Sequence, residues 1–187
     1  VSSAAVWGAT AAECADSYPC DGLGFAHDDI FFRAIDVAAP PALTFRWLCQ
    51  LRAAPYSYDW LDNFGRRSPP RLIPGLEQLA VGQRIMIVFR LIGFSSGTSL
   101  TVRSQSRIGD ALMGSVAGSY VVRAVPEGSR LIAKVLVKYP HGPYGRALRT
   151  VMPHADLFMF RKQLLTLRRY AERDAGDPHW LEKNRAI

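Results

Sequence analysis

The sequence predicts an α+β domain in which a curved antiparallel sheet wraps around a long C-terminal helix. Three observations carry this reading. Residues 130–139 alternate, with Lys134 and Lys138 on one face and Ala133, Val135, Val137 and Tyr139 on the other, as in a sheet covered on one side only. Residues 156–173 place Leu157, Phe160, Leu164, Leu167 and Ala171 at helical spacing, an apolar stripe that must be buried against something. The elements are also segregated: one strand, two helical patterns, a run of strands, then the long helix.

Taken in order, residues 1–26 read as an arm rich in Ala, Ser and Gly, with a turn at Pro19-Cys20-Asp21-Gly22 and a short helix near residues 11–15. Residues 27–37 form the first strand, with Phe31, Arg33, Ile35 and Val37 alternating against Phe32, Ala34 and Asp36. Pro40-Pro41 closes it and opens a helix, since the first turn has no use for the missing N–H. That helix, 42–51, lines up Leu43, Trp47 and Leu51 beside Leu48. The aromatic run 55–65 fits a short helix stopped by Gly65. Residues 66–74 hold three prolines and three arginines and read as a surface loop. Residues 85–92 are a near-continuous apolar strand, joined through a hairpin at Gly97 to an alternating strand at 99–104. Residues 115–125 and 130–139 follow as strands around a Glu127-Gly128 turn. Helical pattern then returns after 140–143, is expected to break at Pro153, and restarts at His154 or Asp156. Residues 174–187 read as a loose tail.

Composition bounds the function. The chain has 187 residues, is 49% hydrophobic, and carries a net charge of +7. Residues 1–60 carry seven acids against Arg33, Arg46 and Arg52, a net −4, whereas residues 61–187 carry 20 basic residues against nine acids, a net +11. The basic residues are scattered, form no block, and do not interleave with aromatics as a stacking platform would, so no nucleic-acid partner is expected. No apolar run reaches the length of a membrane span. Cys14, Cys20 and Cys49 stand without a charged leader segment, which points to reduced thiols in a cytoplasmic setting. No Gly-rich phosphate loop and no metal-ligand spacing occurs, so neither a cofactor nor a metal is expected.

Several segments together resemble the START-like, or Bet v 1-like, superfamily, also called the SRPBCC or polyketide cyclase/dehydrase-like group. They are the strand and Ala-Pro-Pro helix opening over 34–48, the segment Tyr56-Ser57-Tyr58-Asp59-Trp60-Leu61-Asp62-Asn63, the segment Leu76-Glu77-Gln78-Leu79-Ala80-Val81-Gly82-Gln83-Arg84, and Phe160 to Leu167 in the last helix. The likeness covers residues 28–173, leaves the arm and tail outside, and is closest in character to bacterial, actinobacterial members. It implies a helix-grip fold around a deep apolar cavity that takes lipids, sterols, polyketides or similar molecules. It does not imply a reaction, because such folds host carriers and enzymes alike.

Candidate ligand-binding residues are Tyr56, Tyr58, Asp59 and Trp60, expected at the cavity mouth, where an apolar pocket needs a few polar contacts. Arg90 and Arg103 interrupt apolar strands and would bind a carboxylate or carbonyl if they point inward. Tyr120 is a further hydroxyl on a strand. His141 and His154 flank the last helix within reach of general-base chemistry. No catalytic set emerges. Three readings stay open: a carrier or sensor of a hydrophobic small molecule, an enzyme using acid/base groups in the same cavity for cyclisation or dehydration, and a protein-interaction module with a collapsed cavity. A paired acid and base in the cavity favours the second, an all-apolar lining the first, and a sealed cavity beside an exposed apolar patch the third.

Overall fold

The computed structural model describes residues 4–58, 60 and 65–177. Seven strands form one sheet: β1 (Val6–Trp7), β2 (Asp29–Val37), β3 (Arg84–Ile85), β4 (Phe89–Ser95), β5 (Ser99–Ser104), β6 (Ser115–Val125) and β7 (Gly128–Lys138). Their order across the sheet is β1-β2-β7-β6-β5-β4-β3. Every pairing is antiparallel except β1 with β2, where Val6 lies opposite Phe32. The α-helices given bounds among the described residues are α1 (Ala11–Ala15), α2 (Pro41–Cys49), α3 (Arg107–Met113) and α4 (Gly142–Ala175). This is the α+β helix-grip arrangement that the patterning predicts.

Register places the alternating residues. Phe31, Arg33 and Ile35 of β2 lie opposite Val135, Ala133 and Leu131 of β7, so one row of each strand faces α2 and α4. Leu43, Trp47, Leu48 and Leu51 meet Leu164, Leu167 and Ala171 in the main core, all at most 2% exposed. The β6–β7 turn requires its glycine: Gly128 has a φ of +141°, and a Cβ there would lie 2.3 Å from the Val37 carbonyl oxygen.

Four expectations are corrected. First, α4 is one helix capped at His141, not two broken at Pro153. Pro153 withholds one N–H, yet it is buried, and Leu148, Met152 and Phe160 on either side of it pack on Phe31, Val135 and Val137. Tertiary burial thus outweighs one lost helical bond. Second, the apolar run 85–92 is not one strand. It turns at Met86 and Ile87, whose φ values are +47° and +65°, and β4 begins at Phe89. Third, the arm holds the short helix expected near 11–15 but also a strand that the patterning did not predict. It supplies β1 and α1, the latter closed by a capping box between Thr10 and Glu13. Fourth, the sheet is therefore covered on both faces. Tyr18 and Cys20 of the arm pack on Phe32, Ala34, Ile132 and Leu136 of the convex side. The charge asymmetry has its outlet here: Glu13 pairs with Arg130 at 2.8 Å, Asp16 with Arg123 at 2.6 Å, and Asp21 with Lys134 at 2.6 Å. At the other terminus, Asp174 accepts from Trp47 Nε1 at 3.0 Å, so the start of the expected tail is tied to the core, while residues 178–187 lie outside those described. Of the short helix expected over 55–65, residues 55–58 are not helical, Tyr56 having a left-handed φ of +55°, while residues 59 and 61–64 lie outside those described.

Candidate functional site

A sheet curled around one helix cannot fill its concave face with a single row of side chains. Between β5, β6, β7 and the middle of α4 a cavity of about 460 Å³ remains, within the ~300–1,000 Å³ range of small-molecule sites. Its walls are Val102, Val116, Ala133, Val135, Met159 and Phe160. Its rim is the tight turn before β4, where Ile87 and Val88 are 42% and 50% exposed. An Ile with positive φ is a costly local conformation, and here it sets an apolar edge at the entrance.

Polar groups reach this cavity at two levels of α4. Asp156 and Gln163 are seven residues apart, two turns on the same helix face, or about 10 Å along the axis. At the inner level Tyr120 donates to Gln163 Oε1 at 2.8 Å, and Gln163 Nε2 donates to the Pro55 carbonyl at 2.8 Å. The Tyr120 ring also lies against Phe160, centroids 5.7 Å apart. Burial raises the Tyr120 hydroxyl above its ordinary pKa, so it stays a neutral donor and acceptor.

At the other level Asp156 Oδ2 accepts from Arg33 Nη2 at 2.7 Å. Arg33 is wholly buried beneath the wall, where its Nη1 donates to the carbonyls of Ala5 and Phe32 at 2.8 and 2.9 Å. The guanidinium is therefore fixed by the arm and by β2, and it holds the carboxylate at the cavity surface. Loss of solvent pushes the Asp156 carboxyl up to about 6, against the pull of Arg33. The same burial lowers the Arg33 pKa from its ordinary value.

Of the residues singled out from sequence, Tyr120 lies on the cavity wall. The structure places Tyr56, Tyr58, Trp60, Arg90 and Arg103 elsewhere. Tyr56 is fully buried in the core, edge-on to Trp47 and Tyr170, and its hydroxyl donates to the Pro69 carbonyl at 3.0 Å. Tyr58 stacks on Phe158, 4.3 Å between centroids, on the outer side of α4. Trp60 is 72% exposed, and Asp59 lies outside the described residues. The chain turns at Tyr56, whose φ is +55°, and this stretch borders the cavity through Pro55 and Ser57 instead. Arg90 and Arg103 do not enter the cavity: they face each other across β4 and β5 on the convex side, Arg90 donating to the Gly82 carbonyl and Arg103 lying over the Phe25 ring. His141 precedes the first turn of α4 without a side-chain capping bond, and His154 lies on the helix's outer surface. Arg33 and Asp156 were not singled out. Their signal was a cation in the inward row of β2 and an acid four residues before Phe160 on the apolar stripe. Reading Asp156 as a helix start hid it.

No protein-family model matches the chain, and no curated protein matches it in sequence. Solved structures do. Protein CV1439 of Chromobacterium violaceum superimposes with a TM-score of 0.50 at 14% identity, over 76% of this chain and 96% of its own. The di-domain ARO/CYC StfQ of the steffimycin biosynthetic pathway gives 0.47 at 14%, over 79% of this chain and 52% of its own. The Aha1 dimer structure from Colwellia psychrerythraea gives 0.45 at 14%, over 78% and 97%. At such identities the likeness is one of fold. The CV1439 superposition agrees with the α+β helix-grip topology described above.

Proposed function

We propose that the cavity binds a hydrophobic small molecule, lipid-, sterol- or polyketide-like, as a carrier or sensor. The observation that carries the reading is the cavity of about 460 Å³, apolar over most of its wall, with Asp156 at one level of α4, Tyr120 and Gln163 at the other, and Ser57, Ser119 and Lys134 as the further polar residues on its border. Such a lining favours an apolar guest, with the polar groups selecting its orientation. The test uses N-phenyl-1-naphthylamine, a neutral probe whose fluorescence rises in apolar surroundings. The wild type should bind it saturably, and Val116→Trp, which fills the cavity, should abolish the signal with a melting temperature within a few degrees. Saturable binding unchanged by Val116→Trp would place the guest elsewhere and overturn the reading. Native mass spectrometry of the purified protein would name a co-purifying ligand.

A second reading is favoured by one specific observation, the Asp156 carboxyl at the cavity wall. An acid titrating near neutrality in an apolar site is suited to take a proton from a bound molecule or return one. Under this reading Asp156 acts as the base, and Arg33, beneath the wall, acts as its positioning residue. Cyclisation or dehydration of a polyketide-like substrate is the chemistry it would serve.

A further inference from the structure

The outward face of α4 carries a pattern that the cavity does not explain. Tyr144, Val151, Phe158 and Leu165 follow one another at seven-residue intervals and are 51%, 62%, 54% and 39% exposed. Large apolar side chains scattered singly over a surface need no explanation, but four in one heptad register are a seam. On a 3.6-residue helix a seven-residue repeat drifts about 20° per heptad, the geometry by which two helices cross in left-handed packing. Beside the seam is a groove of about 400 Å³ bounded by Tyr58, His154, Phe158, Arg161, Lys162 and Leu165, deep enough to accept a side chain.

Charge says what kind of helix fits. From residue 142 to 170, α4 carries Arg146, Arg149, Arg161, Lys162, Arg168 and Arg169, of which Arg149 pairs with Asp29 at 2.6 Å and Arg168 with Glu172 at 2.9 Å, and a single acid, Asp156, which is turned into the cavity. By helical geometry Lys162 and Arg169 fall on one side of the seam, and Arg161 and Arg168 on the other. Lys162 has no ionic partner among the described residues. A second copy of this chain would bring like charges together, which costs affinity. A lipid bilayer has no register and is better met by a wide apolar face than by a seam one residue across.

We infer that this face of α4 docks an acidic amphipathic helix of a partner protein, with apolar residues at heptad spacing and Asp or Glu on both flanks. The partner's apolar residues interdigitate with Val151, Phe158 and Leu165, and its carboxylates meet Lys162 and Arg169 on one side and Arg161 and Arg168 on the other.

The probe is a labelled synthetic 24-residue helix with Leu at two positions of each heptad and Glu beside them, followed by fluorescence anisotropy. Controls are the same composition with the Leu residues shuffled out of register, and the ordered peptide with Lys for Glu. The ordered acidic peptide should bind at least tenfold more tightly than either control. Val151→Glu/Phe158→Glu should weaken it at least tenfold while leaving N-phenyl-1-naphthylamine fluorescence unchanged. Lys162→Glu/Arg169→Glu should shift preference towards the Lys peptide. The proposal is overturned if no peptide binds or if ordered and shuffled peptides bind alike. It is also overturned if vesicles of phosphatidylcholine and phosphatidylglycerol are bound through Val151 and Phe158, or if the seam instead holds two copies together by sedimentation equilibrium. Cavity binding is read independently, so failure here leaves that reading untouched.

Discussion

Asp156 sits where three demands meet: it lines an apolar cavity, lies inside a helix, and is held by an arginine anchored to the N-terminal arm. Its folded-state value of about 6 is above the ordinary 3.8, so the native state holds this proton more tightly than the unfolded chain does. The contribution to stability is thus most favourable below pH 3.8 and is lost as pH rises through 6. Asp156→Asn should flatten that part of the stability–pH profile, measured by thermal melts from pH 4 to 8. Binding of the anionic probe 8-anilinonaphthalene-1-sulfonate should strengthen in the wild type as pH falls through 6 and stay flat in Asp156→Asn. Arg33→Met alone leaves a buried carboxylate without its partner and should cost about 3–5 kcal/mol. The double change Arg33→Met/Asp156→Leu should recover most of it, because neither charge then has to be desolvated.

At the scale of elements, α4 divides its labour by face. Leu164 and Leu167, at most 2% exposed, bind it to α2 and the sheet, and Asp156 and Gln163 look into the cavity. Leu164→Ala should cost ~2–5 kcal/mol in chemical denaturation, as expected for a truncated core side chain. The arm is held differently, by ion pairs at its edge over a small apolar contact. Arg130 holds the Glu13 carboxyl down to about 2, below its ordinary 4.5. With the value depressed, the pair's contribution is complete above pH 4.5 and is lost as pH falls towards 2. Glu13→Gln should therefore speed proteolysis within residues 4–26 at pH 7 and reduce the acid sensitivity of that cleavage, leaving the core melt nearly in place.

The whole molecule is two shells on one sheet: α2 and α4 on the concave side, the arm on the convex side. Its three free cysteines report on both. Cys20 is buried under the arm, whereas Cys49 lies in the main core with its thiol pushed up to about 12 by burial. In pulsed alkylation of the native protein, Cys14 should label first, Cys20 as the arm opens, and Cys49 only on global unfolding. Equal labelling rates at Cys20 and Cys49 would mean that arm and core open as one unit.

What the sequence determined by itself was periodic. Alternation at 130–139 and helical spacing at 156–173 fixed the two layers, because burying one face is a demand each element makes alone. Gly97 and Gly128 likewise declared their turns, since few residues adopt those dihedrals. The tertiary structure decided whatever depended on a neighbour. Pro153 remains in a helix because buried packing on either side outweighs one missing bond. Met86 and Ile87 break an apolar run because β3 must end where the cavity rim begins. The arm became a layer because its acids found the cations of β6 and β7. The site itself is the clearest case: Arg33 and Asp156 are 123 residues apart in the chain, and only the docking of α4 on β2 brings one to hold the other at the cavity wall.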